Sequence, residues 1–81
     1  MISVTLSGSL RSAAGELGTV DVEAATIHQL LLALEKLIPS LKDHLEQGVA
    51  VSIDGQIFRD DWFREIPAGA EVFVLPRLAG G

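Results

Sequence analysis

The residues best equipped for chemistry stand at the end of the chain, in the run Leu75-Pro76-Arg77-Leu78-Ala79-Gly80-Gly81. Pro76 stops a strand, and five residues follow it. Extended at ~3.3–3.6 Å per residue, Arg77 to Gly81 reach about 17 Å beyond the folded body. Gly80 and Gly81 lack side chains, so the tail is thin enough to thread a narrow channel in another protein. Its terminal carboxylate is anionic and resonance-stabilised, and therefore a poor electrophile. Transfer of AMP from ATP converts it to an acyl-adenylate with a good leaving group. A sulfur nucleophile that displaces AMP then leaves a thiocarboxylate, whose sulfur is acidic and nucleophilic. In this scheme the folded domain supplies recognition and the tail supplies the reacting atom. The plainer reading of the same residues is a frayed end built from small side chains.

Other chemistry has little to stand on. The chain has no cysteine, which excludes disulfides, thiolate catalysis, iron–sulfur clusters and cysteine zinc sites for the chain acting alone. His28 and His44 are far apart and read as solvated side chains, with no metal-ligand spacing. Asp60-Asp61 beside Trp62 is a carboxylate pair, but a polar loop offers neither the cleft nor the perturbed pKa values of a catalytic pair, and it reads as a solvated turn. The net charge is −5, which argues against nucleic acid and anionic membranes, because phosphate binding needs clustered cations. A basic partner surface fits better. With 81 residues the chain holds one domain, too small for a deep substrate cavity, and 48% hydrophobic residues argue for a packed core rather than disorder. The opening Met1-Ile2-Ser3-Val4-Thr5 has no basic region or long apolar run, and no stretch nears the ~20 apolar residues that span a bilayer. A soluble cytoplasmic domain is expected.

The elements that must carry the tail follow from periodicity. Ile2, Val4 and Leu6 alternate with Ser3, Thr5 and Ser7 as a strand with one buried face. Residues 7–18 read as a loop with a short turn near Arg11, and residues 19–23 alternate again, completing a long-looped hairpin. Thr26 with Gln29 three positions on forms a capping box. Behind it, Ile27, Leu30, Leu31, Leu34, Leu37 and Ile38 fall in an arc of about 120°, one buried helical stripe that Pro39 ends. Leu32 falls off that stripe, among polar positions; it reads as an ordinary exposed leucine, with contact to a partner as the other reading. Ser40 to Leu45 add a further short turn of helix. Val49, Val51 and Ile53 form a strand, Asp54-Gly55 a type I′ hairpin turn, and residues 56–58 the return. Residues 59–66 are irregular, Ile66-Pro67-Ala68-Gly69 suits a type I turn, and residues 71–75 form a last strand that is apolar on both faces and so central. The order β-β-α-β-β-β describes an α+β roll: a mixed sheet of about five strands with one main helix on one face. The ubiquitin-like β-grasp has this layout.

These residues together resemble a known family. Thr26-Ile27-His28-Gln29-Leu30-Leu31 with Leu34, Ile38-Pro39 and Leu41 is similar to its helix motif. Residues 51–55 and 67–72 resemble its hairpin and last turn, and Leu78-Ala79-Gly80-Gly81 resembles its functional tail. The family is the ubiquitin-like sulfur carriers, which include the small subunit of molybdopterin synthase and the thiamine-pathway carrier. The resemblance spans essentially the whole chain. It implies a β-grasp domain over residues 1–76 and a C-terminal tail over 77–81. It further implies activation by an ATP-dependent, ubiquitin-activating-like adenylyltransferase and a thiocarboxylate on Gly81, with Gly80, Ala79, Leu78 and Arg77 threading the partner. The carrier itself binds no cofactor, and the ATP is used by its activating partner. Two positions depart from the molybdopterin subfamily: Pro76-Arg77 stands where Pro-Pro is frequent, and Ser7 where an aromatic is frequent.

The same resemblance calls for one exposed face of the last strand. With Val72 and Val74 turned to the core, Phe73 and Leu75 face out as a docking patch, unless a loop carrying Trp62 or Phe63 covers them. Arg11 and Arg77 are candidates to meet acidic groups on the activating enzyme, with ordinary surface charge as the other reading of each. The expected role is that of a carrier rather than an enzyme. It delivers sulfur to the molybdopterin synthase large subunit or to another sulfur-accepting enzyme of thiamine, cysteine or other thio-metabolite synthesis. A protein modifier joined to lysines through Gly81, and a plain interaction module, are the other readings.

Overall fold

The computed structural model describes residues 2–59 and 61–76. Strand β1 (Ile2–Leu6) is followed by a short helix α1 (Ser9–Ala13), strand β2 (Thr19–Val22) and the main helix α2 (Ile27–Leu37). A 3₁₀ turn (Pro39–Leu41) leads into helix α3 (Lys42–Gln47), and strands β3 (Val49–Ile53), β4 (Gln56–Phe58) and β5 (Val72–Pro76) complete the described chain. The sheet order is β2-β1-β5-β3-β4. Among the described strands only β1 and β5 pair in parallel; the other neighbours are antiparallel. The last strand is therefore inserted at the centre, as its two apolar faces require. The architecture is a mixed five-stranded sheet with helices, the ubiquitin-like β-grasp.

The period-2 pattern sorts the sheet's faces. Ile2, Val4, Leu6, Val49, Val51, Ile53, Val72 and Val74 are all buried and share one core with Leu10, Ile27, Leu30, Leu34 and Leu41 from the helical segments. The α2 stripe is buried at its centre, but Leu37 is 56% exposed, against the expectation that it belongs to the core. It stands at the margin of the arc and on the last turn, beside Asp21 and Glu23 at the edge strand β2, where the sheet runs out beneath it.

Local signals hold at the termini of α2. The Thr26 side chain accepts a hydrogen bond from the Gln29 amide at 3.2 Å. The Gln29 side chain closes the cap one residue earlier than the capping box predicts, accepting from the Ala25 amide at 2.8 Å. Asp54 and Gly55 both have positive φ, 49° and 88°, as a type I′ turn requires. Asp54 also ties this hairpin to β5: its carboxylate accepts from the Glu71 amide at 2.8 Å, and its own amide donates to the Glu71 carbonyl at 2.9 Å.

Two loop expectations are corrected. The segment near Arg11 is a short helix rather than a loop with a turn, because Leu10 is buried in the core and pulls one helical turn over the sheet. The Ser40 hydroxyl anchors that turn by donating to the Ala13 carbonyl at 2.6 Å. The turn before β5 closes from the Ala70 amide to the Pro67 carbonyl at 3.1 Å, one residue later than a type I turn on Ile66. Gly69 then sits third, with φ 78°, the position where a type II turn needs a residue free to take positive φ.

Candidate functional site

The sheet face away from the helices is the candidate docking surface. Phe73 of β5 lies between Thr5 of β1 and Ser52 of β3, with Ile57 of β4 beyond Ser52. One pair along, Leu75 lies opposite Ala50. Ala50, Phe73, Leu75 and Ile57 take no part in the core cluster, so among the described residues no helix packs on this side. Phe73 and Leu75 are half-buried while Ala50 and Ser52 between strands are buried. Two large side chains thus stand above small neighbours, and Ile57 extends the apolar surface at the sheet margin, 53% exposed. Val72 and Val74 point the other way and are buried, as the alternation predicts.

The loop expected as the alternative cover lies elsewhere. The His28 amide donates to the Trp62 carbonyl at 2.8 Å and the Ile27 amide to the Arg64 carbonyl at 3.0 Å. These bonds hold residues 62–64 to the N-terminus of α2, in the helix layer. Phe63 is 81% exposed there and leaves Phe73 and Leu75 uncovered.

The surroundings of Pro76 at the end of β5 are set by the parallel β1–β5 pair. Because Leu6 is in register with Val74, the chain beyond β1 lies beside Pro76. The Ser7 amide donates to the Val74 carbonyl at 3.2 Å. Gly8 comes next, with φ 60° and ψ −133°, and a Cβ built on it would lie 3.2 Å from Pro76 Cγ. The absence of a side chain at Gly8 is what lets proline at the root of the tail pack this closely. Sequence reasoning missed Gly8; its only signal was a glycine directly after a strand, and nothing local names Pro76 as its neighbour.

The remaining candidates separate. Arg11 is exposed on α1 and faces the Glu16 carboxylate at 3.7 Å, an exposed pair of little energetic weight. It remains available to another partner. Gly81, Gly80, Ala79, Leu78 and Arg77 lie outside the described residues, as does Asp60 of the Asp60-Asp61 pair. Asp61 is engaged by Arg64 at 3.0 Å, and the Arg64 guanidinium lies 4.6 Å from the centre of the Phe58 ring. No group of histidines and carboxylates suited to a metal occurs among the described residues, which include His28 and His44. No helix among these residues is long and apolar enough to cross a membrane.

Comparison with known proteins bears on the fold and the family. The ThiS family matches residues 4–81. No curated protein sequence matches. Among solved structures, a chain of the BexX/CysO complex from Amycolatopsis orientalis is similar at 21% identity and a TM-score of 0.77, over 100% of both chains. The small archaeal modifier protein 1 of Methanosarcina acetivorans gives 23% identity and 0.77, covering 99% of this chain and 95% of that one. A putative molybdopterin converting factor subunit 1 from Pyrococcus furiosus gives 21% and 0.77, over 95% and 97%. These likenesses share the β-grasp fold, and with the family match through residue 81 they carry the conclusion: the chain belongs to the ThiS family of ubiquitin-like sulfur carriers.

Proposed function

We propose that the chain carries sulfur as a thiocarboxylate on Gly81 and serves as a co-substrate rather than a catalyst. The observation that carries this reading is the family match running through residue 81, across a tail that follows the central strand β5. An ATP-dependent, ubiquitin-activating-like adenylyltransferase docks on Phe73 and Leu75, with Arg11 near the same end of the sheet, and receives Arg77 to Gly81 in its channel. The Gly81 carboxylate oxygen attacks the α-phosphorus of ATP, releasing pyrophosphate. Hydrosulfide then attacks the acyl carbon, AMP leaves, and a proton is lost to give the thiocarboxylate. Residues 1–76 form the docking body and 77–81 the reacting tail. The thiocarboxylate passes its sulfur to an accepting enzyme, in this reading the molybdopterin synthase large subunit.

Incubation with the adenylyltransferase, ATP and sulfide is expected to raise the intact mass by one oxygen-for-sulfur exchange, and deletion of Gly81 to abolish it. An unchanged mass with every activator of this type overturns the proposal. Sulfur transfer in the presence of the molybdopterin synthase large subunit supports that pathway. Transfer only to a thiazole- or cysteine-forming enzyme reassigns it, and lysine conjugates without a thiocarboxylate make the chain a modifier.

A further inference from the structure

The helix layer carries a second apolar surface, on the other side of the sheet from Phe73. Leu32 is 53% exposed, Trp62 38% and Phe63 81%. The chain has only four aromatic residues, three Phe and one Trp, and two of them stand here side by side. On a helical wheel His28, Leu32 and Glu35 occupy one flank of α2, next to Leu31 at the margin of the buried stripe. The turn at residues 61–64 forms one wall and α3 the other. Leu31, Leu32, Leu45 and Trp62 line an open groove of about 270 Å³, with Glu35 and Glu46 at its lining as well. That is just under the ~300–1,000 Å³ of a small-molecule pocket, and suits an apolar side chain of a docked segment.

Three features give the groove the character of a built anchor. The turn is held to α2 by the two main-chain bonds from Ile27 and His28, and internally by Arg64 donating its side chain to Asp61 and its amide to the Asp61 carbonyl. The Phe63 ring packs beside His28 with centroids 6.2 Å apart. The aromatics are therefore presented on a fixed support, which lowers the entropy lost on binding. Glu35 and Glu46 have no ion-pair partner among the described residues, so their charge faces outward from an acidic protein.

We infer that this flank of α2 docks a partner segment with apolar anchors flanked by lysine or arginine. The apolar side chains fill the groove and the cations meet Glu35 and Glu46, which matches both the shape and the sign of the surface. Because the site lies in the helix layer, on the other side of the sheet from Phe73, it binds while the sheet face is occupied. The inference does not depend on the chemistry of Gly81.

Trp62 is the chain's single tryptophan and reports on this surface alone. A synthetic amphipathic peptide of leucine and lysine is expected to shift its fluorescence to the blue and to saturate, with affinity falling as salt rises. Leu32→Ser and Phe63→Ala should each weaken binding about fivefold or more, as loss of an interface anchor does. Glu35→Gln combined with Glu46→Gln should remove most of the salt dependence, while Leu37→Ser, on the opposite flank of α2, should leave binding unchanged. Absence of a shift, equal binding of the peptide with glutamate for every lysine, or equal loss in Leu37→Ser overturns the inference. A concentration-dependent dimer that Leu32→Ser abolishes does so too, since the occupant is then a second copy of the chain.

Discussion

Gly8 shows how one residue shapes the packing at the end of β5. Its φ of 60° with ψ −133° lies in a region open almost only to glycine, and the missing Cβ makes room for Pro76. Gly15 also has positive φ, 71°, but nothing within 4 Å of a built Cβ. Gly8→Ala is expected to lose ~1–3 kcal/mol of stability and Gly15→Ala about 1 kcal/mol or less, read from urea denaturation midpoints. Equal losses would show that the contact with Pro76 contributes nothing. Neither glycine's weight was legible in the sequence, where both sit in a run of Ser, Ala and Gly. The difference between them comes from a strand some seventy residues away.

At the scale of elements, α2 is the best-specified piece because its signals are local. A cap, a stripe at helical period and a closing proline lie within fourteen residues, positions 26 to 39. Thr26→Ala should lower stability by ~1 kcal/mol while leaving the sheet intact, since one orphan amide at the helix start loses its acceptor. Denaturant unfolding with an unchanged slope would check it, and a loss below a few tenths would mean the Thr26 bond is not a working cap. The hairpin at Asp54-Gly55 was equally legible, because type I′ geometry selects its residues. The turn at residues 67–70 was misplaced by one residue: proline favours the second position of a turn, but positive φ at Gly69 fixes the third, and the stricter demand prevails. The helix at Ser9–Ala13 escaped notice because five residues are too few for a period, and only burial of Leu10 justifies it.

At the scale of the molecule, an acidic chain of net charge −5 presents an apolar sheet face on the side away from its helices. Phe73→Ala is expected to weaken association with the adenylyltransferase proposed above about tenfold or more, with only ~1 kcal/mol lost from folding, because the ring is half-buried and outside the core. Raising the salt from about 0.05 to 0.5 M should slow the same association, since the net charge of −5 steers a basic partner over distances that salt screens. Equal losses of binding and folding in Phe73→Ala would make the residue part of the core.

What the sequence determined by itself is the set of elements and the sense of each face: period 2 separates Val72 and Val74 from Phe73 and Leu75, and period 3.6 builds α2. These are short-range consequences of backbone geometry, written wherever side chains alternate. Tertiary structure alone decided which neighbours those faces acquire. The parallel pairing of β1 with β5 set Gly8 against Pro76, and the bonds from Ile27 and His28 carried Trp62 and Phe63 away from Phe73 to stand beside Leu32. Such contacts join residues far apart in the chain, and no local period encodes them.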